Sequence, residues 1–301
     1  MKDLRKLRTA LIVPAMNERL VSRAHERGAE AIVLDLEDGV SAEKKLEARK
    51  ALSMAMPRLK AAGCVGMVRV NSASELMAED LRAAVEAGTD YIVVPKIEAP
   101  EELQRFDQQL DALRSAGEGA TLPPLIASLE SPRGVINAVG IAMHESVAGL
   151  VFGPEDYCAA LGVPSRLAAL ELPLQQLAMA AAAAGRACFG VPGTITDFKD
   201  VAAFEGLATR ARAMGVSGCM VIHPNQVIAA RRAYSPSAAE VELAQKIVAA
   251  SQSEQYETQG VISVDGRMVD APVVAQALET LKADVEARNL RTPPQSSSES
   301  A

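Results

Sequence analysis

The chain has 301 residues, of which 49% are hydrophobic and 23% are charged, so it can bury a sizeable globular core. Its net charge of −7 argues against a nucleic-acid partner, which needs a basic surface. No apolar stretch approaches the roughly 20 residues of a membrane span, and the four cysteines lack a Cys-x-x-Cys pair. We therefore expect a cytoplasmic protein with neither a membrane nor a nucleic-acid partner.

Eight short apolar runs predict buried parallel strands, because turn residues bound each run and helix-like stretches separate them. In chain order they are Leu11–Ala15, Ala31–Asp38, Val65–Asn71, Tyr91–Glu98, Pro124–Ser131, Gly149–Asp156, Ala187–Val191 and Cys219–His223. The seventh run is the least regular, since Gly190, Pro192 and Gly193 interrupt its pattern. Eight strand–helix units predict an α/β fold, a closed (β/α)8 TIM barrel, rather than an open doubly wound sheet.

The stretches between these runs have helical periodicity and are rich in Ala, Glu, Arg and Leu. Examples are Ala42–Ala62, Ser74–Ala87, Pro100–Ser115 and Asp197–Met214. Several of them begin with a residue that caps helices well, such as Ser41 or Asp197. These stretches are the predicted outer helices of the barrel.

The composition changes after the eighth unit. Ser237–Glu257 predicts one long amphipathic helix, and Gly260–Asp270 predicts a hairpin, because Asp-Gly separates two short alternating runs. Ala271–Ala287 predicts a second helix. We predict a barrel over residues 1–234, a helix–hairpin–helix arm over 235–290 that packs on a neighbouring subunit, and a disordered tail, rich in Pro and Ser, over 291–301.

Two carboxylates end consecutive predicted strands. In a parallel barrel the strand carboxyl ends form one rim, where active sites lie, so Glu130 and Asp156 should meet there. Two hard oxygen ligands, with the other positions left to water and substrate, suit Mg²⁺, with Mn²⁺ as the alternative ion. The other interpretation is that each carboxylate pairs with a rim arginine or caps a helix.

Arg69 alternates with apolar neighbours at the end of the third run. A buried guanidinium needs a carboxylate or an anionic ligand, so we predict that it serves substrate. Asp35, Glu37 and Asp38, one strand away, are candidate structural partners, and the two uses can coexist. Lys96 also points to the rim, where nearby acids favour ion pairing over Schiff-base chemistry.

A turn with the sequence Gly153-Pro154 leads into a predicted helix. The first amides of such a helix can bind the oxygens of a carboxylate, and here they belong to Glu155, Asp156 and Tyr157. We predict that they bind substrate. An ordinary helix start capped by Asp156 is the alternative.

Eight stretches follow one another along nearly the whole chain: IVLDLEDGV (32–40), VRVNS (68–72), VPKIE (94–98), ESPRG (130–134), FGPEDYCAALG (152–162), TDFKD (196–200), IHPNQ (222–226) and DGRMVDAP (265–272). Together they resemble the citrate lyase beta-subunit-like family of the HpcH/HpaI aldolase group. The resemblance implies a barrel in homotrimers or hexamers and a Mg²⁺-dependent carbon–carbon lyase. Its substrate would be a 3-hydroxyacyl-CoA such as malyl-CoA or citramalyl-CoA, cleaved to, or formed from, acetyl-CoA and a 2-oxo acid.

The resemblance also implies roles for individual residues. By position, Glu130 and Asp156 match the metal ligands, and Arg69 matches a substrate-binding, catalytic arginine. Asp270 matches a catalytic acid/base that is delivered to a neighbouring subunit. The supporting acidic cluster corresponds to Asp35, Glu37 and Asp38.

Three stretches depart from the family pattern. PAMNE (14–18) stands in place of Pro-Gly-Asn-Arg-Pro, CFGV (188–191) in place of Ala-Ile-Asp-Gly, and LPLQQ (172–176) in place of a Tyr-x-Arg-Ser-Arg-like stretch. These departures concern recognition of the thioester, including how coenzyme A is held, more than the metal site.

Three other functions stay open at this point. The protein could be an aldolase for free 4-hydroxy-2-oxo acids, which the altered motifs favour but Asp270 and the arm oppose. It could be a subunit of a lyase complex that acts on an acyl-carrier-protein thioester. It could also be an inactive barrel that serves as an assembly partner, which the retention of Glu130, Asp156, Arg69 and Asp270 opposes.

Overall fold

Eight parallel strands form one sheet in the computed structural model, which describes residues 3–117 and 122–291. They are β1 Thr9–Pro14, β2 Ala31–Asp35, β3 Val65–Arg69, β4 Tyr91–Val94, β5 Leu125–Leu129, β6 Val147–Phe152, β7 Ala187–Phe189 and β8 Cys219–Val221. Their order is β7-β6-β5-β4-β3-β2-β1-β8, so each strand lies beside its neighbours in sequence and β8 returns to β1. The predicted strands are confirmed, although most end a few residues earlier than predicted.

The barrel closes between β7 and β8 through very few contacts. Phe189 forms a single bridge with Gly218, and the amide of Gly190 donates to Gly218 O at 3.0 Å. A Cβ on Gly218 would lie 2.4 Å from Leu7 O, so a glycine is needed where the residue before β8 packs against the segment that leads into β1. The result is a nearly closed (β/α)8 barrel, which confirms the predicted fold class.

Helices surround the strands. They are α1 Glu18–Val21, α2 Lys45–Ala61, α3 Ser74–Glu86, α4 Gln104–Ser115, α5 Pro132–Ile136, α6 Ala138–Ala142, α7 Pro154–Leu161, α8 Leu167–Ala183, α9 Val201–Ala213 and α10 Pro224–Tyr234. Short 3₁₀ turns accompany them, at Leu4–Lys6, Ala24–Arg27, Ala42–Lys44 and Pro100–Leu103. Two predicted helices therefore begin as 3₁₀ turns, at Ala42 and at Pro100.

Two apolar layers stabilise the barrel. Alternate strand residues such as Val33 and Met67 fill its interior, whereas Ile32 and Leu34 face the outer helices. The side chains of β2 are buried on both faces, as expected for a parallel strand covered by helices. This double burial explains why the strands appear in the sequence as continuous apolar runs.

The chain divides into two compact units, with the boundary between Tyr234 and Ser235. The second unit contains α11 Ala238–Ser251, α12 Glu254–Gln259, β9 Ile262–Val264, β10 Arg267–Val269 and α13 Ala271–Arg291. Helix α11 packs on α13, and the small core of the unit includes Ile247, Ile262, Val264 and Val269. Arg291 ends α13, and the rest of the predicted tail lies outside the described residues.

The prediction of one long helix over 237–257 is wrong. Helix α11 ends at Ser251, and the Ser253 side chain accepts a hydrogen bond from the amide of Tyr256, which starts α12. A serine that caps a new helix competes with continuation of the previous one. The hairpin is confirmed: Asp265 and Gly266 have φ angles of 48° and 75°, as the two-residue turn requires.

Within the described part of the chain, none of the helices has both the length and the apolar character needed to span a membrane.

Candidate active site

A cavity of about 360 Å³ opens at the carboxyl ends of the barrel strands. Part of its lining is apolar and comes from the barrel interior: Ile12, Val33, Val93, Val151 and Met220. The charged part lies at or just beyond the strand ends: Asp38, Arg69, Glu130, Glu155 and Asp156. The fold therefore brings most of the predicted site residues to one opening.

Glu130 and Asp156 meet in this cavity. Glu130 follows β5 and is buried, whereas Asp156 lies in the first turn of α7 and is exposed. Burial is the main cause that raises the pKa of Glu130, to about 7, and the carboxylates of Glu37 and Asp156 add repulsion. A hydrogen bond with Ser128 opposes this shift only partly. The two predicted metal ligands are thus close enough to interact.

Gly153 makes this meeting possible. A Cβ on Gly153 would lie 2.5 Å from Cγ of Glu130, so a larger residue would displace the Glu130 side chain. Gly153 is also the residue before α7, and its amide donates to Leu129 O at 3.2 Å. A glycine at this position therefore leaves room for the Glu130 side chain in the cavity.

The donor set fits a magnesium ion. The buried carboxylate of Glu130 and the exposed one of Asp156 repel each other, and a divalent cation between them would offset that repulsion. Within residues 3–117 and 122–291, no group of three or more His, Cys, Asp or Glu side chains is arranged to hold a metal. A site of two protein carboxylates, completed by water and substrate, matches the way Mg²⁺ is usually bound.

Arg69 lines the cavity, and the carboxylates of Asp35 and Glu37 hold its guanidinium in place. Its Nε and Nη2 donate to the two oxygens of Asp35 at 2.7 and 2.8 Å, and Nη1 lies 3.1 Å from Glu37 Oε2. Burial acts to lower the pKa of Arg69, but Asp35 and Glu37 outweigh it and raise that pKa. Burial acts to raise the pKa of Asp35, but the hydrogen bonds and charge of Arg69 prevail and lower it. Arg69 is therefore a fixed cation with 19% of its side chain exposed.

The other two members of the acidic cluster face Lys96. Glu37 Oε1 lies 2.9 Å from Lys96 Nζ, and Asp38 Oδ1 lies 3.7 Å from it. Burial is the main cause that raises the pKa of Glu37. Lys96 has a left-handed backbone with φ of 57°, a costly conformation outside glycine. Its ammonium is engaged in ion pairs, as the sequence interpretation favoured over a Schiff base.

One prediction at the start of α7 needs correction. The amide of Tyr157 donates to Gly153 O at 3.1 Å, because the fourth residue of a helix already reaches the carbonyl of the residue before it. The Tyr157 ring packs on Phe152, with 5.3 Å between centroids. The amide of Tyr157 is therefore already engaged within the helix and is not free to bind substrate. The amides of Glu155 and Asp156 lie in the first turn, where the helix offers them no carbonyl.

The Glu155 side chain, to which the sequence analysis gave no role, holds a loop of the site. Its Oε1 accepts hydrogen bonds from Thr194 Oγ1 at 2.8 Å and from the amide of Ile195 at 2.9 Å. Gln226, which is fully buried, donates from Nε2 to Ile195 O at 2.7 Å. These contacts fix the loop after β7, whose residues Ile195 and Thr196 line the cavity.

Sequence reasoning missed these loop contacts. The rings of Phe198, in the loop after β7, and His223, just after β8, also stack with 4.6 Å between their centroids. The stretches at 196–200 and 222–226 were noted only as part of a resemblance, and nothing in their spacing indicated that they touch.

Asp270, in the second unit, accepts a hydrogen bond from the amide of Val273 at 3.3 Å and so starts α13.

Comparison with known proteins identifies the family to which the chain belongs. Residues 8–224 match the HpcH/HpaI aldolase/citrate lyase family, and the chain belongs to that family. It is 34% identical over 278 residues to the (3S)-malyl-CoA thioesterase of Cereibacter sphaeroides, which covers 91% of this chain and 93% of that protein. It is 30% identical over 289 residues to human mitochondrial citramalyl-CoA lyase, over 91% of this chain and 84% of that one.

A solved structure agrees with the fold. CitE from Mycobacterium tuberculosis, crystallised in complex with magnesium, acetoacetate and coenzyme A, is 30% identical to this chain. The match covers 94% of this chain and 100% of that one, with a TM-score of 0.74. The resemblance stated from the sequence motifs is confirmed.

Proposed function

We propose that this protein is a Mg²⁺-dependent carbon–carbon lyase for 3-hydroxyacyl-CoA esters such as malyl-CoA or citramalyl-CoA. It cleaves them to acetyl-CoA and a 2-oxo acid, or forms them in reverse. The meeting of Glu130 and Asp156 in one cavity with Arg69 carries this proposal. Similarity to a citramalyl-CoA lyase and to a magnesium- and coenzyme A-bound structure supports it.

Glu130 and Asp156 would hold the metal. When bound there, Mg²⁺ would lower the pKa of the substrate hydroxyl and polarise the emerging 2-oxo carbonyl. The amides of Glu155 and Asp156 bind the carboxylate next to that carbonyl. The apolar lining from the barrel interior excludes water from the breaking bond.

Arg69 stabilises the negative charge that develops on the thioester oxygen. Asp35 engages its Nε and Nη2, and Nη1 faces Glu37, which leaves further N–H groups of Nη1 and Nη2 for the enolate. A donor aimed at such an oxyanion contributes about 3 kcal/mol to transition-state stabilisation. A base takes the proton of the substrate hydroxyl as the carbon–carbon bond breaks, and Asp270 of a neighbouring subunit protonates the enolate carbon, or removes its proton in the condensing direction.

The test is a product assay on purified protein. Malyl-CoA and citramalyl-CoA are compared with free 4-hydroxy-2-oxo acids, each with Mg²⁺ and with chelator. We expect acetyl-CoA and glyoxylate or pyruvate only from the CoA esters and only with Mg²⁺. Turnover of the free acids alone would indicate the aldolase function instead. Cleavage of CoA esters by the purified chain alone would exclude a strict need for an acyl carrier protein.

Thioester hydrolysis is the second candidate function. The observation that favours it is the 34% identity to a protein named (3S)-malyl-CoA thioesterase. The same assay separates the two reactions, because hydrolysis of malyl-CoA gives malate and free coenzyme A, whereas carbon–carbon cleavage gives glyoxylate and acetyl-CoA.

We also propose a homo-oligomer, a trimer or a hexamer, in the cytoplasm. An exposed apolar face on neighbouring helices supports the assembly; it consists of Ile136, Val139 and Met143 on or beside α5 and α6, and Leu172 and Met179 on α8. Large apolar faces of this kind mark protein–protein contacts. Buried thiols at Cys158, Cys188 and Cys219 support a reducing compartment.

A further inference from the structure

We propose that Lys45 is a positioning residue, which holds the turn bearing Glu37 and, through Glu37, the guanidinium of Arg69. The inference rests on the proposed function, in which Arg69 meets the substrate. Lys45 is the first residue of α2 and lies outside the cavity lining. Its effect on the reaction is therefore indirect.

The ammonium of Lys45 is fully used. It donates to Leu36 O at 2.6 Å, to Glu37 O at 2.7 Å and to Asn71 Oδ1 at 2.9 Å. An ammonium has three protons, so these three acceptors account for all of them. Charge-assisted hydrogen bonds of this kind are about twice as strong as neutral ones. The Lys45 ammonium thereby binds two successive carbonyls of the turn.

The contacts of Lys45 belong to a buried hydrogen-bond network. Asn71 Nδ2 donates to Leu36 O at 2.8 Å and to Asp80 Oδ2 at 2.6 Å. Asp80 is fully buried and accepts a further hydrogen bond from Arg49 Nε at 2.7 Å. Arg49 lies on α2, one turn after Lys45, and Asp80 lies on α3. The clamp on the turn is thus fixed to two helices of the outer layer.

On the cavity side, the same turn presents the Glu37 carboxylate. Glu37 Oε2 lies 3.1 Å from Arg69 Nη1, and Oε1 lies 2.9 Å from Lys96 Nζ. Without the Lys45 ammonium, the carbonyls of Leu36 and Glu37 lose a charged donor, and the turn relaxes. The Glu37 carboxylate then moves away from both Arg69 and Lys96. Asp35 still holds Arg69, but the guanidinium loses its second carboxylate.

The first test does not depend on activity. Lys45→Met removes the ammonium, and Lys44→Met is the matched control, because Lys44 is exposed and bonded to Glu47 at 2.8 Å. The protein is treated with a limiting amount of an amine-reactive acylating reagent, and mass spectrometry follows the acylation of Lys96. We expect Lys96 to react several-fold faster in Lys45→Met, since its partner Glu37 is released, and at the wild-type rate in Lys44→Met. An unchanged rate in Lys45→Met overturns the clamp.

The second test is kinetic. We expect Lys45→Met to lower kcat for CoA-ester cleavage about 10-fold, within the roughly 100-fold that a misplaced catalytic group can cost. KM should change less than about 2-fold, because Arg69 acts mainly on transition-state charge. Lys45→Arg, which keeps a cationic donor, should recover part of kcat. A lower thermal midpoint with wild-type kcat and Lys96 reactivity would mean a purely structural lysine and would overturn the proposal.

Two outcomes keep this inference separate from the proposed function. If the wild-type protein cleaves no CoA ester, the proposed function fails, and Lys96 acylation still decides whether the clamp exists. If Lys45→Met does not fold, Asn71→Ser replaces it. That variant removes one of the three acceptors and should accelerate Lys96 acylation to a smaller extent, with wild-type reactivity overturning the clamp.

Discussion

Arg69 grips Asp35 through two parallel hydrogen bonds, from Nε to Oδ1 at 2.7 Å and from Nη2 to Oδ2 at 2.8 Å. The backbone amides of Glu37 and Gly39 donate to the same carboxylate at 2.9 and 2.8 Å. The carboxylate is thus saturated, and the direction of the guanidinium is fixed. A lysine has no planar fork and cannot reproduce this arrangement.

We expect Arg69→Lys to lower kcat by about 100-fold or more, the loss found when an oxyanion donor is removed. The free energy of unfolding should fall by about 2–3 kcal/mol, because Asp35 remains buried with a poorer partner. Steady-state kinetics and urea unfolding measure the two effects. Arg5→Lys is the control, since Arg5 makes the same two-point contact with Asp3 at an exposed site. Equal losses in the two variants would contradict an orienting role for Asp35.

The metal-free protein should become less stable as the pH rises. The pKa of Glu130 is raised from 4.5 in the unfolded chain to about 7 in the folded one, chiefly by burial. The folded state therefore binds the extra proton, so this contribution to stability is complete below pH 4.5 and is lost as the pH rises through about 7. Thermal unfolding in chelator across this range should show the loss in the wild type and not in Glu130→Gln.

Magnesium should reverse this trend. Protons compete with Mg²⁺ for Glu130, so the thermal shift caused by Mg²⁺ should be larger above pH 7 than below it. Glu130→Gln should abolish the shift, whereas Glu145→Gln, an exposed carboxylate outside the cavity, should keep it. A Glu130→Gln protein that still responds to Mg²⁺ as the wild type does would rule out Glu130 as a ligand.

The parts of the site that follow from topology could be predicted from the sequence. Glu130 and Asp156 follow consecutive strands, and the carboxyl ends of parallel strands share one rim, so their meeting needs no knowledge of side-chain packing. The pairing of Arg69 with Asp35 is of the same kind, because the two residues are direct partners in the register of β2 and β3.

The parts that depend on loop geometry could not be predicted. Glu155 reaches Thr194 and Ile195 across separations of 39 and 40 residues, and Gln226 reaches Ile195 across 31. No periodicity connects the first turns of α7 and α10 with the loop after β7. The error at Tyr157 was smaller in scale: the helix begins where predicted, but its fourth amide is already engaged. To tell the engaged amide from the free ones, the first residue of the helix must be known to within one position.

The loop after β7 should control substrate affinity rather than metal binding. Glu155→Ala leaves Thr194 and the Ile195 amide without their acceptor, so the loop that contributes Ile195 and Thr196 to the cavity should loosen. We expect KM to rise about 10-fold or more, with the Mg²⁺ thermal shift unchanged. Glu171→Ala, in an exposed pair with Arg210, is the control. Loss of the Mg²⁺ response in Glu155→Ala would show instead that Glu155 belongs to the metal site.

The apolar face on α5, α6 and α8 should be an oligomer contact. Ile136 is 79% exposed and Leu172 is 66% exposed, and they lie on α5 and α8, which pack on each other. Leu172→Glu combined with Ile136→Glu places like charges there, which should reduce the mass measured by light scattering after gel filtration. Met54→Glu, at a 63% exposed position on α2, should leave the mass unchanged. If the double variant keeps the wild-type mass, the subunits meet through another surface, and this face must be explained differently.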